Sequence, residues 1–133
     1  MADRLGPDTE KITVNLSFID LGSIDLLVRE SAFANRTDFI RTAIRNELTR
    51  QEDIVGQVKK REAPTLGIRH VARSELEKAL RSGEKLELRV LGLLSLAADI
   101  DEDLAHATIE SISILGAFHA PQKLKAALAD RLA

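Results

Sequence analysis

Lys11, Thr13 and Asn15 sit two residues apart on the stretch KITVNLS, residues 11–17, and alternate with Ile12, Val14 and Leu16. Successive side chains of a strand point to opposite faces. The spacing therefore predicts a strand with one aliphatic face and one face of short hydrogen-bonding groups. In a DNA major groove, Asn pairs with adenine, Lys with guanine, and a Thr hydroxyl with several base edges. The chemistry on offer is base recognition.

Other chemistries have weaker starting material. The histidines are His70, His106 and His119, and His70 and His119 each lie three residues after a glycine. They lack the additional closely spaced ligands that a metal centre needs, so no metal is expected. The acidic run DIDED, 99–103, lacks the glycine turn and late Glu of a calcium loop. It reads as a helix start, where carboxylates suit the dipole. With no cysteine in the chain, disulfides, thiolate zinc sites and thiol nucleophiles are excluded. There is no phosphate-cradling glycine loop and no Ser-His-Asp arrangement. Neither an enzyme nor a cofactor is expected.

The elements that would position the three polar residues follow directly. Leu21, Ile24, Leu27 and Val28 recur at helical spacing, predicting a helix over about 18–32, ragged at its start because of Gly22. Asn35 with Asp38 three residues on forms an N-terminal capping signal. Phe39, Ile40, Ala43, Ile44 and Leu48 make one apolar stripe, with Arg36, Arg41, Arg45 and Arg50 off it. A second helix is expected over 36–52, running to Arg61 at the furthest, since Pro64 must end it. One strand leaves both edges unpaired, and some 40 residues bury too little surface to stand alone. The same segment from a second chain solves both problems. An antiparallel ribbon then presents Lys11, Thr13 and Asn15 twice about a two-fold axis, and a homodimer is expected.

EKITVNLS followed by two helices, with NRTDFIRTAIRNEL opening the second, resembles the ribbon-helix-helix family of bacterial repressors, of the MetJ, Arc and CopG type. The resemblance covers about residues 10–50. It implies that the outward strand residues, here Lys11, Thr13 and Asn15, contact bases. It also implies that the start of the second helix, here Asn35, Arg36 and Thr37, holds a DNA phosphate. Free helix amides and the helix dipole suit an anion.

Composition tempers this. The chain of 133 residues is 44% apolar and 30% charged, with a net charge of −2. Residues 1–50 hold seven basic and eight acidic residues, so DNA binding must rest on where charges lie. Four Phe and no Trp or Tyr leave few stacking platforms for single strands. No apolar run reaches the roughly 18–20 residues that span a bilayer, and MADRLGPDTEK lacks the apolar core of a secretory signal. A cytoplasmic location without membrane contact is expected.

The second half repeats. LGIRHVARSELEKAL (66–80), LGLLSLAADIDEDLAHATI (91–109) and LGAFHAPQKLKAAL (115–128) each open with Leu-Gly, then read as strand, break and short helix. Gly67, Gly92 and Gly116 are spaced by 25 and 24. Ser74 with Glu77 reads as a capping box, and Pro121 suits a first helical turn. The period predicts a small solenoid-like stack of three parallel strands with helices on one side. The expected fold class is α+β: a ribbon-helix-helix dimer domain (1–50), a helix tail and hinge (51–64), and a three-unit β-α repeat module (65–133). KKR, 59–61, reads as a solvated helix end.

The expected function is a sequence-specific, DNA-binding transcriptional regulator, a repressor that also acts on its own gene. Its expected partners are double-stranded DNA and further copies of itself, and the C-terminal module is expected to join dimers into tetramers or larger assemblies, to sense a ligand or to bind a protein partner. The competing readings are an assembly protein using the N-terminal segment only to dimerise, an antitoxin gripping a toxin, and a metal-responsive repressor.

Overall fold

The protein's structure is a computed structural model that describes residues 9–62 and 64–133. The described residues divide into Lys11–Arg61 and Glu62–Ala133, with Thr9 and Glu10 grouping with the second unit.

The first unit begins with an extended segment, 11–17, that has no strand partner among the described residues. A strand is defined by cross-strand hydrogen bonds, so an isolated segment cannot register as one. Helix α1 spans Phe18–Arg29. Ser17 caps it by accepting a hydrogen bond from the Asp20 amide at 3.1 Å, so the start is well formed and Gly22 lies inside the helix rather than fraying it. The helix ends three residues earlier than the periodicity predicts. Ser31 takes φ +65°, and the Ala32 amide reaches back to the Leu27 carbonyl at 2.9 Å, which is the closure that stops a helix through a left-handed residue.

Helix α2 spans Arg36–Arg50 and α3 spans Glu52–Glu62. The expected continuous helix is thus interrupted at Gln51, whose φ and ψ of −97° and 14° leave the helical region. Its amide still bonds the Glu47 carbonyl at 3.1 Å, and α3 restarts with Glu52 and Asp53 in its first turn.

In the second unit, β1 (Thr65–Val71), β2 (Leu86–Leu96) and β3 (Ile109–His119) form a parallel sheet in the order β1-β2-β3. Helices α4 (Arg73–Ser82), α5 (Glu102–Thr108) and α6 (Gln122–Ala127) alternate with them. Parallel neighbours need a crossover, and α4 and α5 supply the two crossovers. The core joins Val71, Leu88, Val90, Leu94, Leu96 and Ile112 of the sheet to Leu76, Leu104, Leu124 and Leu128 of the helical layer. The Leu-Gly pairs fall inside the strands and do not open them. Gly67, Gly92 and Gly116 share one row of the register and have φ values of +100°, +139° and +128°. A Cβ on Gly92 would stand 2.1 Å from the Gly67 carbonyl oxygen, and one on Gly116 would stand 2.0 Å from that of Gly92. Only glycine supports this backbone approach.

The expected Ser74–Glu77 capping box does not form. Ala72 is the N-cap of α4, without a side-chain hydrogen bond. Glu77 instead pairs with Arg73 at 3.2 Å, and Arg73 also bonds the Asp99 carbonyl at 2.5 Å and Asp101 at 2.9 Å. With the N-cap at Ala72, Ser74 lies within the first turn, and the Glu77 carboxylate that a capping box would bring to the Ser74 amide goes to Arg73. Pro121 is the N-cap of α6, one place before its first turn. At the C-terminus, Leu132 bridges to Ile112 in parallel, and the Ala133 amide donates to the Ile112 carbonyl at 2.9 Å. This shields part of the β3 edge. No helix among the described residues is long and apolar enough to cross a membrane.

Candidate nucleic-acid interface

Lys11, Thr13 and Asn15 lie on the extended segment and are exposed. So are the residues between them: Ile12 is 75% and Val14 67% accessible. A polar face in water needs no explanation, but an aliphatic face in water does. The segment has both sides uncovered, so its aliphatic side is available to pack once another surface arrives.

The helices behind it show the same deficit. Helix α2 has no buried residue, and Ile24 is the one buried residue of α1. Ile40, Ile44 and Leu48 of the predicted stripe are exposed, as are Phe18, Ile19 and Leu26. Leu16, Ile24, Leu27, Phe39, Ile40 and Ile44 line an apolar hollow of about 370 Å³ between α1 and α2.

The corner between α1 and α2 is nevertheless firmly built. Asn35 accepts from the Asp38 amide at 2.8 Å, and the Asp38 carboxylate accepts from the Ala34 amide at 2.9 Å. Asn35 thus caps α2 as the sequence implies, while the Asp38 carboxylate reaches the amide one residue before the N-cap, not the N-cap amide of a capping box. Phe33 meets Phe39 edge to face at 5.1 Å. Arg36 forms a two-pronged ion pair with Asp25 of α1, both hydrogen bonds measuring 2.8 Å. The Arg36 hydrogen bond holds the Asp25 carboxyl below its ordinary pKa, and the pair raises that of the Arg36 guanidinium.

The three residues expected at a phosphate therefore differ in what they can offer. Asn35 uses its side-chain oxygen as the cap. The Arg36 guanidinium is committed to Asp25. The amides of Arg36 and Thr37 stand in the first helical turn, where no preceding carbonyl is available to them. Those two amides and the positive end of the α2 dipole are of the kind that suits an anion. Sequence reasoning missed the Asp25–Arg36 pair, since the two residues are eleven apart and meet only through the turn. Further cations come from Arg41 and Arg45, which have no ion-pair partner among the described residues, whereas Arg29 and Arg50 pair with Glu30 and Glu47.

The histidines are not gathered. His70 Nδ1 lies 3.2 Å from Ser95 Oγ, His119 pairs with Glu10 at 3.0 Å, and His106 pairs with Asp130 at 3.0 Å. Among the described residues no three His, Asp or Glu side chains cluster to hold a metal.

A family model of ribbon-helix-helix transcriptional regulators matches residues 7–125. No curated protein and no solved structure gives a significant match. The matched span runs well past the 10–50 segment in which the resemblance is readable by eye, and takes in all three strands of the second unit. Regulators of this kind bind DNA and dimerise. The extended polar segment, the two capped helices and a match over most of the length together place this chain in the ribbon-helix-helix transcriptional regulator family.

Proposed function

We propose that the protein is a homodimeric, sequence-specific repressor whose two 11–17 segments pair into an antiparallel ribbon and enter the major groove. The observation that carries this reading is the exposure of Ile12 and Val14 beside two helices that bury almost nothing. A second copy supplies the missing strand partner and the missing core at once. Pairing buries the aliphatic side against four helices and turns Lys11, Thr13 and Asn15 outward. In the groove these three contact bases, while the Arg36 and Thr37 amides, beside Asn35, hold a phosphate at each end of the ribbon. Arg41 and Arg45 add positive charge to an otherwise balanced surface. Occlusion of a promoter follows from occupancy, with the protein's own gene as one target.

The C-terminal unit is read as a short β-α repeat stack that associates with another copy of itself. A second bound dimer multiplies weak contacts, which suits a DNA-binding segment with little net charge. Its buried core weighs against an antitoxin-type tail that orders only on a toxin.

The test is fluorescence anisotropy on duplex DNA from upstream of the gene, at several salt concentrations, with random duplex as competitor. The wild type should resist the competitor and weaken as salt rises, as phosphate contacts require. Thr13→Ala/Asn15→Ala should remain dimeric and lose discrimination. Equal, weak binding by both proteins, together with failure to select any sequence from random duplexes, would hand the case to a ribbon used only for assembly.

A further inference from the structure

The sheet of the second unit has two faces, and its helical layer covers one. On the other face the register sets Leu66, Leu91 and Leu115 in one row, and Ile68, Leu93 and Ala117 in the next. Leu66 is 57% and Leu115 54% accessible. The rows beyond are polar at both ends: Arg89 with Ser113 on one side, His70, Ser95 and His119 on the other. Among the described residues Glu10, paired with His119, is the contact made at the margin of this face. The pattern is an apolar centre with a polar rim, the anatomy of an interface.

Its size constrains the occupant. Three strands about 4.8 Å apart and two rows about 7 Å apart give an apolar patch on the order of 200 Å². A stable complex between free partners needs about 800 Å² from each. A patch this small cannot hold a partner from dilute solution. It can hold one already tethered, because tethering raises the effective concentration to about the millimolar range. The patch itself is uncharged, and Arg89 at its margin lies 3.9 Å from Glu87, so opposite charges flank each other where an identical surface meets it and nothing favours a polyanion.

We propose that this sheet face is the self-association surface of the C-terminal unit, occupied by the same face of a second copy. This rests on the dimeric reading of the N-terminal unit. A two-fold axis running parallel to the strands lays Leu66 of one copy over Leu115 of the other. It brings Leu91 and Leu93, on the central strand, against their own counterparts. Apolar rows then meet apolar rows, and the polar rows remain at the rim.

The chain has no cysteine, so a single introduced thiol reports on this geometry without background. Face-to-face sheets lie about 10 Å apart. Thiols on the axis are then too distant for a direct disulfide, whose Cα atoms sit about 4.4–6.8 Å apart, and within reach of a short bis-thiosulfonate reagent. Leu91→Cys in the full chain should give mostly linked chain pairs, several-fold more than Lys78→Cys, whose side chain is exposed on α4. Adding Leu93→Asp should reduce linking at position 91 to the Lys78→Cys level, since two carboxylates would face each other across the axis. The native mass of the linked species separates pairing within one dimer, which supports the assignment, from pairing between two dimers, which overturns it because such a partner is untethered. Linking at position 91 no greater than at position 78 overturns it. So does protection of the thiol without linking, which would mean that something other than the same face of a second copy covers it. Retained DNA discrimination with no linking refutes this surface alone; loss of dimer mass in the wild type refutes the N-terminal reading on which it rests.

Discussion

Replacing Gly92 with Ala should damage the second unit far more than replacing Gly67, although both glycines occupy the same row of the sheet. Both have positive φ, +139° and +100°, and forcing a side chain into such a backbone costs about 1–3 kcal/mol. The difference lies in what the new methyl meets. At Gly67 there is no heavy atom within 4 Å; at Gly92 the Gly67 carbonyl oxygen stands at 2.1 Å and its carbon at 2.9 Å. Both are backbone atoms within the sheet and cannot swing aside. Relieving the overlap means parting β1 from β2, an overpacking cost of about 1–3 kcal/mol in addition. Gly67→Ala should therefore lose about 1–3 kcal/mol and Gly92→Ala about 2–6 kcal/mol, with Gly116→Ala resembling Gly92→Ala because its Cβ would stand 2.0 Å from the Gly92 oxygen. Urea unfolding followed by circular dichroism, at one fixed chain concentration, reads the difference. With a slope of about 1–3 kcal/mol per molar urea, an extra 2 kcal/mol moves the midpoint by about 1 M. Equal midpoints for Gly67→Ala and Gly92→Ala would refute the close-approach argument and leave only backbone strain.

Three further outcomes are expected. Ile44→Asp places a carboxylate in the exposed apolar stripe of α2 and should abolish dimerisation, seen as a halved mass in analytical ultracentrifugation, with loss of DNA binding; an unchanged dimer would show that α2 pairs through another face. Asn35→Ala removes the cap of α2 and should cost about 1 kcal/mol, measurable as a lowered thermal midpoint, whereas Asn35→Asp should cost much less. The Asp25–Arg36 pair should make stability acid-sensitive: the Asp25 pKa is depressed below the ordinary 3.8, so its contribution is present above that value and is lost as pH falls through the folded-state value. The stability gap between wild type and Arg36→Ala should thus be visible at neutral pH and shrink as pH falls below 3.8, and a gap unchanged through acid titration would rule the pair out as its cause.

Much of the chain's local organisation was legible because it depends on neighbours in sequence. Ser17 could not be chosen over its neighbours as a cap by periodicity, but Asn35 and Asp38 announce the start of α2 by spacing alone, and the Asn35 cap follows. The alternation over 11–17 declares one aliphatic and one polar side whether or not a partner strand is present. The glycine repeat at 67, 92 and 116 survives in the fold as a single row of the sheet. The helix ends were less legible. The stop at Ser31 and the interruption at Gln51 depend on backbone conformations that no strong breaker residue signals.

What the sequence indicated by itself is therefore most of the elements and their faces, since these follow from short-range periodicity, together with the expectation of a second copy, since about 40 residues bury too little apolar surface. What the tertiary structure decided is which groups are free to act. Sequence places Arg36 among the expected phosphate contacts, yet the turn between α1 and α2 delivers its guanidinium to Asp25. Sequence offers Ser74 and Glu77 as a cap, yet Arg73, drawn between Glu77, Asp99 and Asp101, takes that carboxylate away. The strand leucines read alike along the chain, yet parallel register buries Leu88 and Leu94 and leaves Leu66 and Leu115 open. The Arg36 pair and the strand packing join residues from different elements, and so do the Arg73 bonds to Asp99 and Asp101 that hold it beside Glu77; only the folded chain brings these within hydrogen-bonding or packing distance.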